Sequence, residues 1–254
     1  PPRRAALAVA TAVLGDEVAM TNSPWRFSRA GLQQALQLEQ LRVLNDFEAL
    51  ALSLPRLAPS HYRAHGPAPL ARGTLAVIGP GTGLGVGGVM HTPAGWIAMP
   101  GEGGHATLAP MDDFESELLR HVRGTHSHVS AERLLSGIGL PVLHDAVAAV
   151  LGHNVPTLSA EAIVEQGAHG TDPLCRCTID TFCALLGGFA GNVALTLGAR
   201  GGVYIGGGIV PRFGERFFES HFRERFEAKG RFRGYLEGIP TALITDTLAA
   251  LTGA

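Results

Sequence analysis

The chain has 254 residues and a formal net charge of −2 at pH 7, and 46% of its residues are hydrophobic. That length is enough for one large domain or two modest domains with buried cores. The near-neutral charge gives no electrostatic reason to expect binding to nucleic acid or to an anionic membrane. The sequence has no apolar run of the roughly 18 residues that a membrane span needs and no visible signal sequence, so we expect a cytoplasmic protein.

The three cysteines, Cys175, Cys177 and Cys183, form an odd set. An odd set favours a reducing compartment over a disulfide framework. The spacing of the first two is too short for an ordinary zinc pair, and no second pair completes a site. We therefore interpret all three as structural or surface thiols. Three irregularly spaced histidines are interpreted as part of a solvated loop: His121, His126 and His128.

Alternating apolar and polar runs predict a mixed α/β chain. The predicted elements of the first third are a strand at 5–10, a hairpin through 15–16 into a strand at 17–22, a helix at 29–37, a strand at 41–44 and a helix at 48–54. Ser28 is the predicted N-cap of the helix at 29–37. The segment 58–72 is rich in proline, histidine and glycine, which makes it a candidate crossover between domains.

The remaining sequence predicts a β-rich block followed mainly by helices. These elements are strands within 74–108, helices at 114–122, within 129–137 and at 159–167, a long helix ending before Gly198, a strand at 203–205, and a helix opening within 209–213. The long helix carries apolar side chains at three- and four-residue spacings from Ile179 to Leu197, so they share one face. Ser130 is a predicted N-cap that places Glu132 in the first turn of its helix.

The most informative stretch is the apolar strand and glycine loop at 75–85, LAVIGPGTGLG. Gly81, Thr82 and Gly83 could bring backbone N–H groups close to a phosphate chain, because glycine has no Cβ. A dinucleotide fingerprint would need a helix directly after the loop, whereas the following residues indicate strand, turn and strand. A Walker loop needs Gly-Lys-Ser/Thr, and Lys229 is the only lysine. A glycine-rich hairpin without a ligand is the alternative.

A second glycine-rich turn, MPGEGGH at 99–105, places Glu102 and His105 three residues apart. A carboxylate and an imidazole together can discriminate sugar hydroxyls by hydrogen bonding. The same spacing occurs in helical metal sites, but the flanking glycines disfavour a helix here. The alternative is a polar turn in solvent. A phosphate loop and a polyol-binding turn in one chain indicate a sugar kinase.

Three further positions have both a functional and a structural interpretation. Asp46 follows a short strand, where open α/β sheets place ligand sites; it could accept a proton in phosphoryl transfer or cap the next helix. Glu132 could be a ligand or a charge that interacts with the helix dipole. Gly206, Gly207 and Gly208 could let the backbone approach a flat ligand such as adenine, or could form a tight turn.

Together these motifs resemble the bacterial glucokinase family of the actin-like ATPase and sugar kinase superfamily. The resemblance covers nearly the whole chain and rests on motifs in the right order: VAMTN at 18–22, LNDF at 44–47, the loop at 79–85, MPGEGGH at 99–105, VSAERLLSG at 129–137 and GGGIVPRF at 206–213. It implies an α/β fold of two ribonuclease-H-like domains with a cleft between them. The small, incomplete domain would be 1–57 with 246–254 returning to it, and the large domain 73–245.

The resemblance also implies roles for the candidate residues. Asp46 would be the general base that deprotonates the 6-hydroxyl of glucose. The implied sugar ligands are Asn45, Glu102, His105 and Glu132. The implied nucleotide-binding residues are Gly81, Thr82 and Gly83 in a phosphate loop, and Gly206, Gly207 and Gly208 beside the adenosine. Family members are typically homodimers that use ATP and Mg²⁺ at the entry to glycolysis, so we expect these cofactors and this assembly.

One family feature is not found in the sequence. The family begins with a strand and an Asp-x-Gly-Gly-Thr-Asn loop that holds phosphate and Mg²⁺, and it ends with a short helix that also has no counterpart here. We therefore expect an incomplete chain with no more than trace kinase activity. Two alternatives are a sugar-binding protein without turnover and a nucleotide-dependent chaperone or filament protein of the same superfamily, although the sugar-binding residues speak against the latter.

Overall fold

The structure is a computed structural model that describes residues 2–20, 23–69 and 73–254. The strands are β1 (Arg4–Val9), β2 (Glu17–Ala19), β3 (Arg26–Ser28), β4 (Gln40–Asn45), β5 (Tyr62–His65), β6 (Leu75–Pro80), β7 (Leu84–Thr92), β8 (Gly95–Met99), β9 (Gly202–Ile205) and β10 (Thr241–Ile244). The helices are α1 (Arg29–Ala35), α2 (Asp46–Ser53), α3 (Asp113–Arg123), α4 (Ala131–Leu134), α5 (Gly139–Val150), α6 (Ala160–Ala168), α7 (Pro173–Leu197), α8 (Glu215–Glu219), α9 (Phe222–Glu227), α10 (Arg233–Glu237) and α11 (Ala249–Gly253).

Within the described residues, the large sheet has the strand order β5-β10-β9-β6-β7-β8. β6, β9 and β10 run parallel, whereas β5, β7 and β8 run antiparallel to their neighbours. β6 and β9 lie side by side with Ile78 opposite Ile205, so the glycine-rich segments that follow them leave the same edge of the sheet. The carboxyl ends of parallel strands are the usual ligand-binding edge of an open α/β sheet.

The N-terminal strands form two separate pairs, β1 with β4 in parallel and β2 with β3 in antiparallel. The predicted hairpin from the first strand into the second is therefore wrong. Asp16 explains the alternative pairing, because its carboxylate accepts hydrogen bonds from Ser28 Oγ at 2.6 Å and Ala30 N at 2.9 Å. These contacts hold the start of β2 against the end of β3. Residues 21–22 of the predicted strand lie outside the described part of the chain.

The main core surrounds the long helix α7. The Asp172 side chain caps it by accepting from Cys175 N at 2.7 Å, Pro173 occupies the first turn, and Gly198 ends it with a φ of +60°. The predicted long helix is confirmed and begins earlier than its apolar pattern, because the cap and the proline set its start. α7 is also long and apolar enough to cross a membrane, but 78% of its most apolar window is buried inside the protein.

Several predicted boundaries differ from the structure. The helix expected at 48–54 begins at Asp46, and the opening of the helix expected within 209–213 is a 3₁₀ turn that precedes α8. The candidate crossover 58–72 contains β5, which pairs with β10 at the sheet edge; residues 70–72 are outside the described part. α2 and α11 share an apolar cluster with β6, β9 and β10. The division into domains at 57 and 73 stays a prediction.

His65 on β5 lies in an aromatic cluster. The ring centroids of three phenylalanines lie 5.4, 5.3 and 5.7 Å from that of His65: Phe217, Phe218 and Phe222. The Nε2 atom of His65 is buried without a hydrogen-bond partner among the described residues. Burial lowers the pKa of His65, the charges of Arg223 and Arg63 lower it further, and Glu227 opposes them with a smaller effect.

We expect protonation of His65 to destabilise the fold in acid. Its pKa is lower in the folded chain than the ordinary 6.5, so the unfolded chain binds the proton more readily and stability is lost as the pH falls below that value. His65→Phe keeps an aromatic ring and removes the titration. Its free energy of unfolding in urea should fall less between about pH 7 and about pH 5 than that of the wild type. Equal losses in both proteins would contradict this assignment.

Candidate active site

The site is built around the hairpin between β6 and β7. Pro80 pairs with Leu84, and Gly81 N donates to Gly83 O at 2.8 Å, so residues 81–83 form a tight tip. Thr82 is exposed, and a Cβ built on Gly81 would meet nothing within 4 Å. The tip therefore presents backbone to open space at the carboxyl-terminal edge of the parallel strands, and its role as a phosphate loop stays a prediction.

The amino end of α2 lies against this hairpin through Phe47. A Cβ on Gly79 would lie 2.4 Å from the Phe47 ring, and one on Gly85 would lie 2.0 Å from it. Glycine at both positions is thus needed for the ring to pack across the two strands. This packing places Asp46, the preceding residue, beside the hairpin.

Asn45, rather than Asp46, is the N-cap of α2. Its Oδ1 accepts from Phe47 N at 2.9 Å and Glu48 N at 3.2 Å, and its Nδ2 donates to Thr11 O at 3.2 Å. The structural alternative for Asp46 as a cap is therefore wrong. Asp46 is the first residue of α2, half-buried, and burial raises the pKa of its carboxyl above the ordinary value while the hydrogen bond from Phe47 N opposes this rise. A raised pKa brings a carboxylate closer to the range of a general base.

Glu102 and His105 lie on one turn that packs against β7. Gly103–His105 is a single 3₁₀ turn, and no α-helix forms over residues 99–105, as the flanking glycines predict. A Cβ on Gly104 would lie 2.0 Å from Leu84 O, so only glycine permits this approach. Glu102 and His105 are both exposed, and the turn sits next to the hairpin tip.

Glu132 joins the turn to the hairpin. Ser130 caps α4 by accepting from Arg133 N at 3.2 Å, which confirms the predicted cap and places Glu132 in the first turn. Its Oε2 accepts from Leu84 N at 2.8 Å, and its Oε1 lies 3.9 Å from His105 Nδ1. The sequence offered no signal for the contact with Leu84, because backbone amides are the same in every residue.

The second glycine segment lies beside the same hairpin. Gly207 has a φ of +77°, and a Cβ there would lie 2.2 Å from Pro80 O. Ile209 N donates to Pro80 O at 3.3 Å. Gly207 and Gly208 are exposed. The tight turn and the exposed backbone exist together, so the two interpretations of 206–208 are compatible.

A cleft of about 360 Å³ opens beside His105 and Glu132. Two of the histidines interpreted as a solvated loop, His126 and His128, also line it. His128 Nε2 lies 3.0 Å from Thr107 Oγ1, so this ring is held by the segment that follows the turn. The described residues contain no group of three or more His, Cys, Asp or Glu side chains that could hold a metal ion.

The three cysteines are unpaired in the structure. Cys175 and Cys183 are buried, and burial raises the pKa of each thiol to about 12. Burial also raises the pKa of Cys177, which is only half-buried. Thiols with raised pKa values are poor nucleophiles and poor metal ligands, in agreement with the structural interpretation.

The chain is similar to known proteins along nearly its whole length. A protein-family model described as Glucokinase matches residues 1–254. A curated glucokinase from Neisseria meningitidis is 47% identical over 99% of this chain and 77% of its own length. The chain belongs to the glucokinase family. A crystal structure of a glucokinase from an Antarctic psychrotroph is 39% identical, with a TM-score of 0.92 over 99% of this chain and 79% of that chain.

The same fold occurs in a more distant sugar kinase. A ROK family glucokinase from Streptomyces griseus, solved with glucose and AMPPNP, superposes with a TM-score of 0.63 over 97% of this chain and 80% of that chain, at 20% identity. At that identity the likeness concerns the fold alone. In this member of the glucokinase family, both glycine segments follow parallel strands at the same edge of the large sheet.

We expect Gly85→Ala to destabilise the protein by about 1–3 kcal/mol, because its Cβ overlaps the Phe47 ring and the core must shift. Gly81→Ala is the matched control, since its Cβ enters open space in the same hairpin; we expect a change within about 0.5 kcal/mol. Urea denaturation measures both values. Equal changes in the free energy of unfolding for the two substitutions would show that Phe47 packing does not require glycine at position 85.

Proposed function

We propose that the protein carrying this sequence transfers the γ-phosphoryl group of ATP to the 6-hydroxyl of glucose. The observation that carries the proposal is the position of Glu132. Its Oε2 accepts a hydrogen bond from Leu84 N, directly after the hairpin tip, and its Oε1 lies 3.9 Å from His105 Nδ1. Groups suited to a polyol therefore lie beside groups suited to a phosphate chain. The glucokinase activity that names the N. meningitidis relative supports the same reaction.

Asp46 is proposed as the general base. As the 6-oxygen of glucose attacks the γ-phosphorus in line, its proton passes to the Asp46 carboxylate and the bond to the β-phosphate oxygen breaks. The raised pKa of Asp46 favours this transfer, because it makes the carboxylate a better proton acceptor. Asn45 fixes the amino end of α2 through two backbone amides and is also proposed as a sugar ligand.

The sugar hydroxyls are proposed to bind Glu102, His105 and Glu132. The carboxylates accept hydrogen bonds, and the imidazole donates or accepts, so each pairs with a particular hydroxyl. A site built in this way strongly disfavours a sugar that lacks one of those hydroxyls, because buried polar groups would be left unpaired.

The nucleotide is proposed to lie across the two glycine segments. Gly81, Thr82 and Gly83 would present N–H groups to its phosphates, and the backbone at 206–208 would face the adenosine. Mg²⁺ would enter with ATP as part of the substrate, held mainly by phosphate oxygens, as is usual for this ion. The ion would neutralise charge on the phosphates. The binding of both ligands to the S. griseus structure, which shares the fold, supports this pairing of substrates.

The assay for this function couples glucose 6-phosphate formation to a glucose 6-phosphate dehydrogenase, with glucose, MgATP and the purified full-length protein that carries this sequence. Turnover that requires both substrates is the expected result. Glucose binding by calorimetry without turnover would instead favour the sugar-binding alternative. ATP hydrolysis that glucose does not stimulate would favour the chaperone alternative. Size-exclusion chromatography with light scattering tests the proposed homodimer.

We expect Asp46→Asn to lower kcat by about a hundredfold or more, while glucose affinity stays within about tenfold, because the amide keeps the shape but cannot take the proton. No loss of melting temperature is expected, since the substitution removes a carboxylate whose charge burial disfavours. Near-normal turnover would exclude Asp46 as the base.

The pH profile provides a second readout of Asp46. Activity requires the deprotonated carboxylate, so kcat/KM should fall as the pH decreases through the pKa of Asp46 in the free protein. Because that pKa is raised, the acid limb should lie above the ordinary Asp value of 3.8. Loss of this limb in Asp46→Asn is the expected result, and an unchanged limb would contradict it.

A further inference from the structure

We infer that Glu132 is a positioning residue for the phosphate-binding hairpin, in addition to its proposed contact with the sugar. The inference rests on the proposed function and assigns a second role to one of its residues. It follows from where the two carboxylate oxygens lie. Oε2 accepts a hydrogen bond from Leu84 N at 2.8 Å, while Oε1 remains on the side of His105.

The structure makes room for this contact at Gly83. A Cβ on Gly83 would lie 2.4 Å from Glu132 Oε2 and 3.2 Å from Cδ, so a side chain there would displace the carboxylate. Gly83 does not need a positive φ. Its lack of a Cβ therefore serves the approach of Glu132 and not the shape of the turn. The Glu132 side chain is only 25% exposed, which limits competition from water for the amide.

Leu84 is the first residue of β7 and directly follows the tip. The tip is otherwise held by Gly81 N to Gly83 O and by Gly137 N to Gly81 O, both at 2.8 Å. A carboxylate on the amide of Leu84 adds a charge-assisted bond at the point where the strand begins. Fixing this residue limits motion of the neighbouring tip, and N–H groups that are oriented in advance bind an anion more strongly.

The charge of Glu132 cannot itself favour a phosphate, since both are negative. Its contribution to nucleotide binding must therefore come from the hydrogen-bond acceptor and not from the charge. A neutral glutamine keeps a carbonyl acceptor for Leu84 N. Its hydrogen bond is weaker, but it also removes the repulsion between the carboxylate and the phosphates, so it should support nucleotide binding about as well as glutamate does. The same glutamine should bind the sugar hydroxyls less well, because an amide nitrogen replaces one carboxylate oxygen that accepts hydrogen bonds.

The first experiment measures binding of AMPPNP with Mg²⁺ by calorimetry, in the absence of sugar. Glu132→Ala should weaken binding about fivefold or more, from the loss of one charge-assisted hydrogen bond. Glu132→Gln should stay within about twofold of the wild type while raising the KM for glucose. The matched control is Glu102→Ala, which removes a proposed sugar carboxylate from the neighbouring turn and should leave AMPPNP affinity within about twofold.

The second experiment uses the glycines of the hairpin. Gly83→Ala should weaken AMPPNP binding in the wild type but not in Glu132→Ala, because its Cβ acts by displacing that carboxylate. Gly81→Ala, whose Cβ meets no neighbour within 4 Å, should have the same effect in both backgrounds. If Glu132→Ala does not fold, Gly83→Ala must still weaken binding at least about fivefold more than Gly81→Ala.

The inference is overturned if Gly83→Ala has equal effects in both backgrounds, or if Glu132→Ala changes only the KM for glucose in an active enzyme. It is also overturned if Glu132→Gln binds AMPPNP as weakly as Glu132→Ala. A full-length wild-type protein that phosphorylates no glucose is a different result, which overturns the proposed function itself.

Discussion

The arrangement of the site depends on the absence of side chains along the β6–β7 hairpin. Glycines at 79, 83 and 85 leave space that the Phe47 ring and the Glu132 carboxylate occupy. Gly104 and Gly207 allow two further backbone segments to approach the same hairpin, at Leu84 O and Pro80 O. Segments from distant parts of the sequence thus meet around two strands. Adding one methyl group at most of these positions would separate a segment from the site.

Helix α2 links the stability of the fold to the proposed chemistry. The Asn45 side chain satisfies two amides at its amino end, and Phe47 packs it against the hairpin. Asp46 lies between these two fixed residues, so its backbone has little freedom. The same location partly removes its carboxylate from water and raises its pKa. The packing that holds the proposed base therefore also adjusts its basicity.

The sequence predicted two helix caps and the long core helix well, because each depends on local chemistry. The capping residues Ser28 and Ser130 and the long apolar helix follow rules that act within a few residues. Strand pairing was harder: β1 pairs with β4, and Asp16 connects β2 to the end of β3. Such pairing depends on contacts between residues far apart in sequence. A pattern of apolar residues predicts a strand but does not identify the strand with which it pairs.

By itself, the sequence determined the element types, the family and the set of candidate residues, because glycine content, caps and apolar spacing act locally. Only the tertiary structure decided that Asn45 rather than Asp46 caps α2, and that the Glu132 carboxylate reaches the amide of Leu84. Both outcomes depend on where a side chain lies relative to a backbone amide. A shift of a few ångströms would break either hydrogen bond. A missing Cβ at Gly83 is visible in the sequence, but what fills its place is fixed by packing between distant segments.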